Sequence, residues 1–214
     1  LLGGKSIDHV AFDLDGVLID SMGVMEKSWL SASNKYGLEI PFSSFVKQIG
    51  LPFGASMLNL QINPLCVKDV EIEFSRVAIK LQNQIKVYEG VVDFLTKLTS
   101  NQIEVSIVTS KHQKRAVAII EEKFQNIKFN CLVGPELVNS GRGKPFPDQL
   151  LLAANKSGIS IENTLYIGDT EIDRMVADSA GCRFIFAEWG YGVSNITTGL
   201  SFKSVDDLSS FIFH

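Results

Sequence analysis

Cysteine is scarce: Cys66, Cys131 and Cys182 are the three in 214 residues, odd in number, far apart and without a Cys-x-x-Cys or Cys/His spacing. That excludes a disulfide framework and a thiolate zinc site; the three read as buried thiols in a reducing compartment, so a cytoplasmic protein is expected. Basic charge is also short, with 20 Lys and Arg against 24 Asp and Glu for a net charge of -4. No basic field is available to hold a polyanion, and nucleic acid is not expected as a partner. No apolar run reaches the roughly 18 residues that span a bilayer, and Leu1 to Ser6 is too short and Gly-rich for a secretory signal. No membrane partner is expected. Internal repeats and low-complexity linkers are missing as well.

What is there is an ordinary globular composition, 45% hydrophobic, enough for one large core or a core carrying a smaller insert. His9-Val10-Ala11-Phe12 is a short apolar segment ending at an acidic pair and Gly16, which predicts a buried strand meeting a turn. Helical spacing follows. Met22, Met25, Trp29, Ala32 and Tyr36 form one stripe closed by Gly37, and Val70, Phe74, Val77, Leu81 and Ile85 form another, predicting a helix from Pro64 to about Lys86. With shorter helical pieces at Phe42 to Ile49 and Ala55 to Leu60, residues 20–87 read as an all-helical block.

After Gly90 strand and helix patterns alternate to the end of the chain, with strands at Ile103 to Val108, Cys131 to Val133, Thr164 to Ile167 and Arg183 to Ala187. Strands separated by helices of this length predict an α/β class: a Rossmann-like parallel sheet with helices on both faces, formed by 1–19 and 88–214. The block at 20–87 is then an inserted helical cap.

In an extended segment residues i and i+2 face the same side, so Asp13 and Asp15 present two carboxylates at the mouth of the first strand. Like charges held that close share a proton, bind a cation or face basic groups. Taken alone, an Asp-x-Asp also fits a solvated turn, or the metal-bound nucleotide sugar of glycosyltransferases. Ligands of open parallel sheets bind beyond the carboxyl ends of the strands, so residues following the other strands should converge on the same crevice. These are Thr109 and Ser110, whose hydroxyls and backbone N–H suit a phosphate oxygen or a plain helix cap, and Gly168 and Asp169, with Asp173 one turn on. Lys144, stiffened by Pro145 and Pro147, is either a surface charge or the fixed cation that several acids and a phosphate require.

Four strings stand in order: Phe12-Asp13-Leu14-Asp15-Gly16-Val17-Leu18-Ile19-Asp20-Ser21, Thr109-Ser110, Lys144-Pro145-Phe146-Pro147-Asp148, and Gly168-Asp169-Thr170-Glu171-Ile172-Asp173. Together they resemble the motifs of the haloacid dehalogenase superfamily over nearly the whole chain. Ala177, Ala180, Gly181 and Trp189-Gly190-Tyr191-Gly192 look like its phosphoglycolate phosphatase-like branch, which has a helical cap after the first motif. The resemblance implies Asp13 as nucleophile forming an aspartyl phosphate, with Asp15 as acid and then base. It further implies Mg2+ held by Asp13, the Asp15 carbonyl and Asp169 with support from Asp173. Thr109, Ser110 and Lys144 would hold the phosphoryl oxygens of a small-molecule phosphate ester.

Two departures qualify it. Related sugar-phosphate mutases usually carry an arginine at or beside the place of Phe53 in Gly50-Leu51-Pro52-Phe53-Gly54-Ala55-Ser56, which favours hydrolysis over phosphoryl transfer within a sugar, and Glu89 stands where relatives often have proline before Gly90. Asp15, absent from the dehalogenases, disfavours dehalogenation. Leu51 to Ser56 is the expected specificity segment, with Phe53 and Ser56 as substrate contacts. A mutase and a non-catalytic phosphate or metal binding module remain as alternatives.

Overall fold

The computed structural model describes residues 6–192 and 199–213; the opening stretch, apart from Ser6, lies outside them. Its elements in chain order are strands β1 (His9–Phe12) and β2 (Ile19–Asp20), then helices α1 (Met22–Tyr36), α2 (Phe42–Val46), α3 (Phe53–Asn59) and α4 (Pro64–Lys80). Strand β3 (Lys86–Val87), α5 (Val91–Ser100), β4 (Glu104–Val108), α6 (Gln113–Lys123) and β5 (Cys131–Val133) follow. The chain continues through α7 (Asp148–Ser157), β6 (Thr164–Gly168), α8 (Glu171–Ala180), β7 (Arg183–Ala187), β8 (Leu200–Phe202) and α9 (Val205–Phe213).

Six strands form one parallel sheet in the order β5-β4-β1-β6-β7-β8. Side-chain alternation divides its residues between two cores. Val10, Phe12, Val105, Ile107, Leu165 and Ile167 meet α5, α6 and α9 on one face. Ala11, Val108 and Tyr166 meet α7 and α8 on the other. Burial on both faces is why these strands read as continuous apolar runs, and the sheet is the α/β Rossmann-like arrangement expected. Strand β8, three residues long and too short to show a pattern, was not expected.

The helical insertion opens and closes on strand. Ile19 pairs antiparallel with Val87 and Asp20 with Lys86, so the ends of the 20–87 span are not helical. For the same reason α4 stops at Lys80: the stripe through Leu81 and Ile85 persists, but the chain must straighten to join β2. Within the insertion α1 and α4 pack along each other, burying Trp29, Ala32, Val70, Phe74 and Ala78. Phe45 stacks on Trp29 at 4.8 Å, and Phe74 joins it at 5.5 Å. All three cysteines are free, but only Cys182 is buried; Cys66 and Cys131 are partly exposed, contrary to the expectation of three buried thiols. No helix of the described residues is long and apolar enough to cross a membrane.

His9 opens β1 at 0% exposure. Its Nδ1 lies 3.1 Å from Thr164 Oγ1, and that hydroxyl already donates to the Ser160 carbonyl, so Nδ1 is the donor and the buried Nε2 lone pair has no partner. Burial lowers the His9 pKa from 6.5 to about 4. The unfolded chain therefore takes up a proton that the fold refuses, and stability falls as pH drops from the unfolded pKa toward the folded one. At pH 5 the loss expected from His9 is about 2 kcal/mol. Urea unfolding at pH 7 and pH 5 should show a loss smaller by that amount in His9→Asn; equal losses in both proteins would contradict this assignment.

Candidate active site

Parallel register brings the functional loops together. Phe12 pairs with Ile107 on one side and with Ile167 on the other, so Asp13, Thr109 and Asp169 emerge from three adjacent strand ends. Asp13 N still donates to the Ile167 carbonyl (2.9 Å) and Thr109 N to the Val133 carbonyl (3.1 Å). Backbone pairing thus sets where each loop begins.

Lys144 arrives from the loop before α7 with its ammonium fully buried, 2.9 Å from Asp13 Oδ1 and 2.7 Å from Asp173 Oδ1. Burial alone would lower its pKa; the Asp13 and Asp173 carboxylates outweigh that and raise it. Gln149 locks this loop to the sheet. Its Nε2 donates to the carbonyls of Thr109 (2.8 Å) and Val133 (3.0 Å), while its Oε1 accepts from Lys144 N (3.1 Å). Asp173 is equally committed: Oδ1 also accepts from the Tyr166 hydroxyl (2.7 Å), and Oδ2 accepts from Thr170 N (3.1 Å) and Oγ1 (2.6 Å) in a capping box at the start of α8.

Asp169 is different. Its Oδ2 accepts from Tyr191 N at 2.6 Å, but its Oδ1 is buried without a partner. Burial pushes its pKa well above the carboxylate range, and the charges of Asp13 and Asp173 push it further. Asp13 is raised to about 7 by burial; Lys144 opposes the rise, while Asp173 and Asp15 add to it. Ligand oxygens of Asp13, Asp169 and Asp173 lie within 4.8 Å of one another. Hard oxygen donors, an orphaned carboxylate oxygen and mutual repulsion are what a divalent cation would relieve, so the group fits a metal ion.

The Asp169 carboxylate depends on small neighbours. A Cβ on Gly16, whose φ is 87°, would lie 2.1 Å from Asp169 Oδ2, and one on Gly192 would lie 1.8 Å from the Asp169 carbonyl oxygen. Both loops approach Asp169 more closely than any side chain allows.

Asp15 sits higher, near the mouth. Its Oδ1 accepts a hydrogen bond from the Ser21 hydroxyl and lies 3.1 Å from Lys111 Nζ. Ser21 is held in turn by its N–H on the Tyr191 hydroxyl (2.6 Å). Asp13, Asp15, Thr109, Ser110, Phe53 and Ser56 all line one cavity between the sheet ends and the helical insertion; Lys144, Asp169 and Asp173 lie buried beneath it. The hydroxyls of Ser110 and Ser56 are already engaged, Ser110 donating to the Gly50 carbonyl (2.6 Å) and Ser56 to those of Gln48 and Pro52 (3.3 Å each). Phe53 packs on Phe74 at 5.3 Å. His112 pairs with Glu136 on the α6 surface.

Sequence reasoning missed four participants. Lys111 directly follows Thr109-Ser110, and its nearness to a strand end was a usable signal. Arg115, one turn on, could have been found with it. Gln149 reads as any polar residue in a first helical turn, and Tyr166 as one more core residue, so neither announces its bond.

The model of the family described as haloacid dehalogenase-like hydrolase matches residues 10–187. The chain belongs to this family. Among curated proteins, this hydrolase is 27% identical over 214 residues to the phosphoglycolate phosphatase of Chromobacterium violaceum, covering 95% of this chain and 96% of that protein. It is 28% identical over 186 residues to the phosphoglycolate phosphatase of Xanthomonas campestris pv. campestris, covering 85% and 83%. A solved structure of a predicted phosphatase from Clostridium acetobutylicum superposes with a TM-score of 0.82 at 27% identity, covering 97% of this chain and 99% of that one. The protein is an enzyme of the haloacid dehalogenase-like hydrolases.

Gly16→Ala tests the close packing around Asp169. A displaced carboxylate should slow phosphate release from an aryl phosphate by about 10²-fold, while strain at positive φ lowers stability by about 1–2 kcal/mol. Near-wild-type turnover in the folded variant would show that the Asp169 position does not matter.

Proposed function

We propose that this hydrolase is a magnesium-dependent phosphatase that cleaves a small-molecule phosphate monoester through an aspartyl phosphate on Asp13. The observation that carries the reading is the buried pairing of Asp13 with Lys144 beside the unpartnered Asp169 oxygen. A nucleophilic carboxylate, a fixed cation and an incomplete acidic cluster meet at one strand end. Similarity to phosphoglycolate phosphatases supports the same reaction class.

In this reading one Asp13 oxygen attacks phosphorus while Asp15 donates a proton to the departing oxygen. Asp15 then takes a proton from water as that water attacks the phosphorus of the aspartyl phosphate. Asp173 and Tyr166 hold Lys144 against the phosphoryl oxygens, and the Thr109 hydroxyl and nearby backbone N–H groups donate to those that remain. Asp13, Asp169 and the Asp15 carbonyl would hold Mg2+, with Asp173 in support, and the ion would offset the carboxylate and phosphate charge.

The division into a core (1–19 and 88–214) and a helical cap (20–87) belongs to the same proposal. The β2–β3 ribbon is the joint, and closing the helices over the sheet ends excludes water and presents Phe53 and Ser56 to the leaving group. A cytoplasmic location accords with the three free thiols. No observation favours a mutase, since Phe53 is packed into the aromatic roof of the cavity.

Asp13→Asn should abolish turnover with the fold intact. Asp15→Asn should lose about 10²- to 10⁴-fold in kcat/KM on an alkyl phosphate and less on an aryl phosphate, whose leaving group needs no proton, while kcat falls on both because the aspartyl phosphate lacks its base. Chelation should stop turnover and Mg2+ restore it, with Asp169→Asn needing far more. Phosphate release in chelator, or by folded Asp13→Asn, would overturn the mechanism.

A further inference from the structure

The segment Trp189-Gly190-Tyr191-Gly192, which follows β7, has no part in the mechanism above, yet it runs between two of the acids. Gly190 makes room for it: a Cβ there would lie 2.4 Å from Asp169 Cβ and 2.5 Å from the Gly16 carbonyl oxygen. Trp189 Nε1 donates to the Val17 carbonyl (3.0 Å), which ties the segment to the turn between Asp15 and Ser21. Tyr191 then bonds in two directions. Its N–H donates to Asp169 Oδ2 (2.6 Å), and its hydroxyl accepts from Ser21 N (2.6 Å). The hydroxyl proton has two acceptors in reach, Asp20 Oδ1 (3.2 Å) and the Ile19 carbonyl (3.3 Å), so the phenol is held on β2, where the helical insertion begins.

Left to itself a carboxylate can present either oxygen, because its terminal torsion is broad and roughly two-fold. Tyr191 removes that choice at both acids. At Asp169 its N–H takes Oδ2, and Oδ1 is the buried oxygen without a partner. At Asp15 the effect is relayed: Ser21, anchored by its N–H on the phenol, donates its hydroxyl to Asp15 Oδ1, which Lys111 Nζ also approaches at 3.1 Å. Two donors on Oδ1 leave Oδ2 to carry a proton, since a carboxylic acid holds its proton on the oxygen that is not already accepting.

We propose that Tyr191 is a positioning residue for both acids: its N–H occupies Asp169 Oδ2 and leaves Oδ1 for the cation, while its hydroxyl, through Ser21, occupies Asp15 Oδ1 and leaves Oδ2 for the departing oxygen. This rests on the phosphatase reading and adds a tie between the metal ligand, the proton donor and the start of the insertion. The two ends are chemically separable, because Tyr191→Phe removes the hydroxyl and keeps the N–H.

The test measures kcat/KM on ethyl phosphate and on an aryl phosphate, together with Mg2+ binding to the resting protein by calorimetry, in the wild type, Tyr191→Phe, Ser21→Ala, their double variant and Gly190→Ala. Tyr191→Phe and Ser21→Ala should each lose about 10-fold on ethyl phosphate, far less on the aryl ester, and bind Mg2+ as the wild type does. The double variant should lose no more than Ser21→Ala, because the two residues act in one chain. Gly190→Ala, which pushes the segment off Asp169, should weaken Mg2+ binding by about 10-fold. Equal losses on the two esters in Tyr191→Phe, or no loss on either, would reduce the tyrosine to a structural part and overturn the proposal. So would losses that multiply in the double variant, or wild-type Mg2+ affinity in folded Gly190→Ala. A wild type that releases phosphate from neither ester would instead defeat the phosphatase reading, and the positioning role with it.

Discussion

Among the described residues, Lys144 is the only ammonium placed between three buried carboxylates, Asp13, Asp169 and Asp173. One positive charge cannot balance three negative ones where water is excluded; burial first, and then the neighbouring carboxylates, raise the proton affinities of Asp13 and Asp169. The site is therefore built for a partner it does not itself supply. A divalent cation would relieve that excess of negative charge, and only with it offset could a phosphoryl group, itself anionic, settle on the open side beside Lys144. Removing Lys144 would leave Asp13 and Asp173 buried with no counter-charge, which destabilises far more than the ion pair itself stabilises.

The surrounding fold serves to hold that arrangement. Parallel register aligns three strand ends; Gln149 ties the Lys144 loop to two of them, and Tyr166 with the Thr170 capping box takes up the rest of Asp173. Asp173 spends its acceptors on Thr170, Tyr166 and Lys144, which accords with the supporting part proposed for it. Asp169, with one oxygen unbonded, is the residue left available to a cation. Two acids four residues apart thus differ sharply in hydrogen bonding, one saturated and one with an oxygen to spare.

Much of this arrangement is legible in the amino-acid sequence. Strand-end logic brings Asp13, Thr109 and Asp169 to one mouth, since parallel strands with both faces buried read as apolar runs that stop at polar residues. Lys144 stands out through its flanking prolines. Legibility fails where the signal is short or shared. The paired dipeptides Ile19–Asp20 and Lys86–Val87 are too brief for any periodicity, and the stripe through Leu81 and Ile85 carries the expected helix beyond its real end at Lys80. Lys111 and Arg115 escape notice because a lysine in a loop and an arginine in a first helical turn usually face water, whereas here both line the cavity beneath the helical segment.

The central claim is that Asp13 carries the phosphoryl group during turnover. Asp15→Asn mixed with an aryl phosphate should load Asp13 readily, because that leaving group needs no acid, and then release phosphate slowly for want of a base. Acid quenching within the first turnover, borohydride reduction of the acyl phosphate and peptide mass spectrometry should find homoserine at position 13, in step with a burst of the aryl alcohol. A burst with position 13 still aspartate at every time point, or homoserine formed at another carboxylate, would contradict the account.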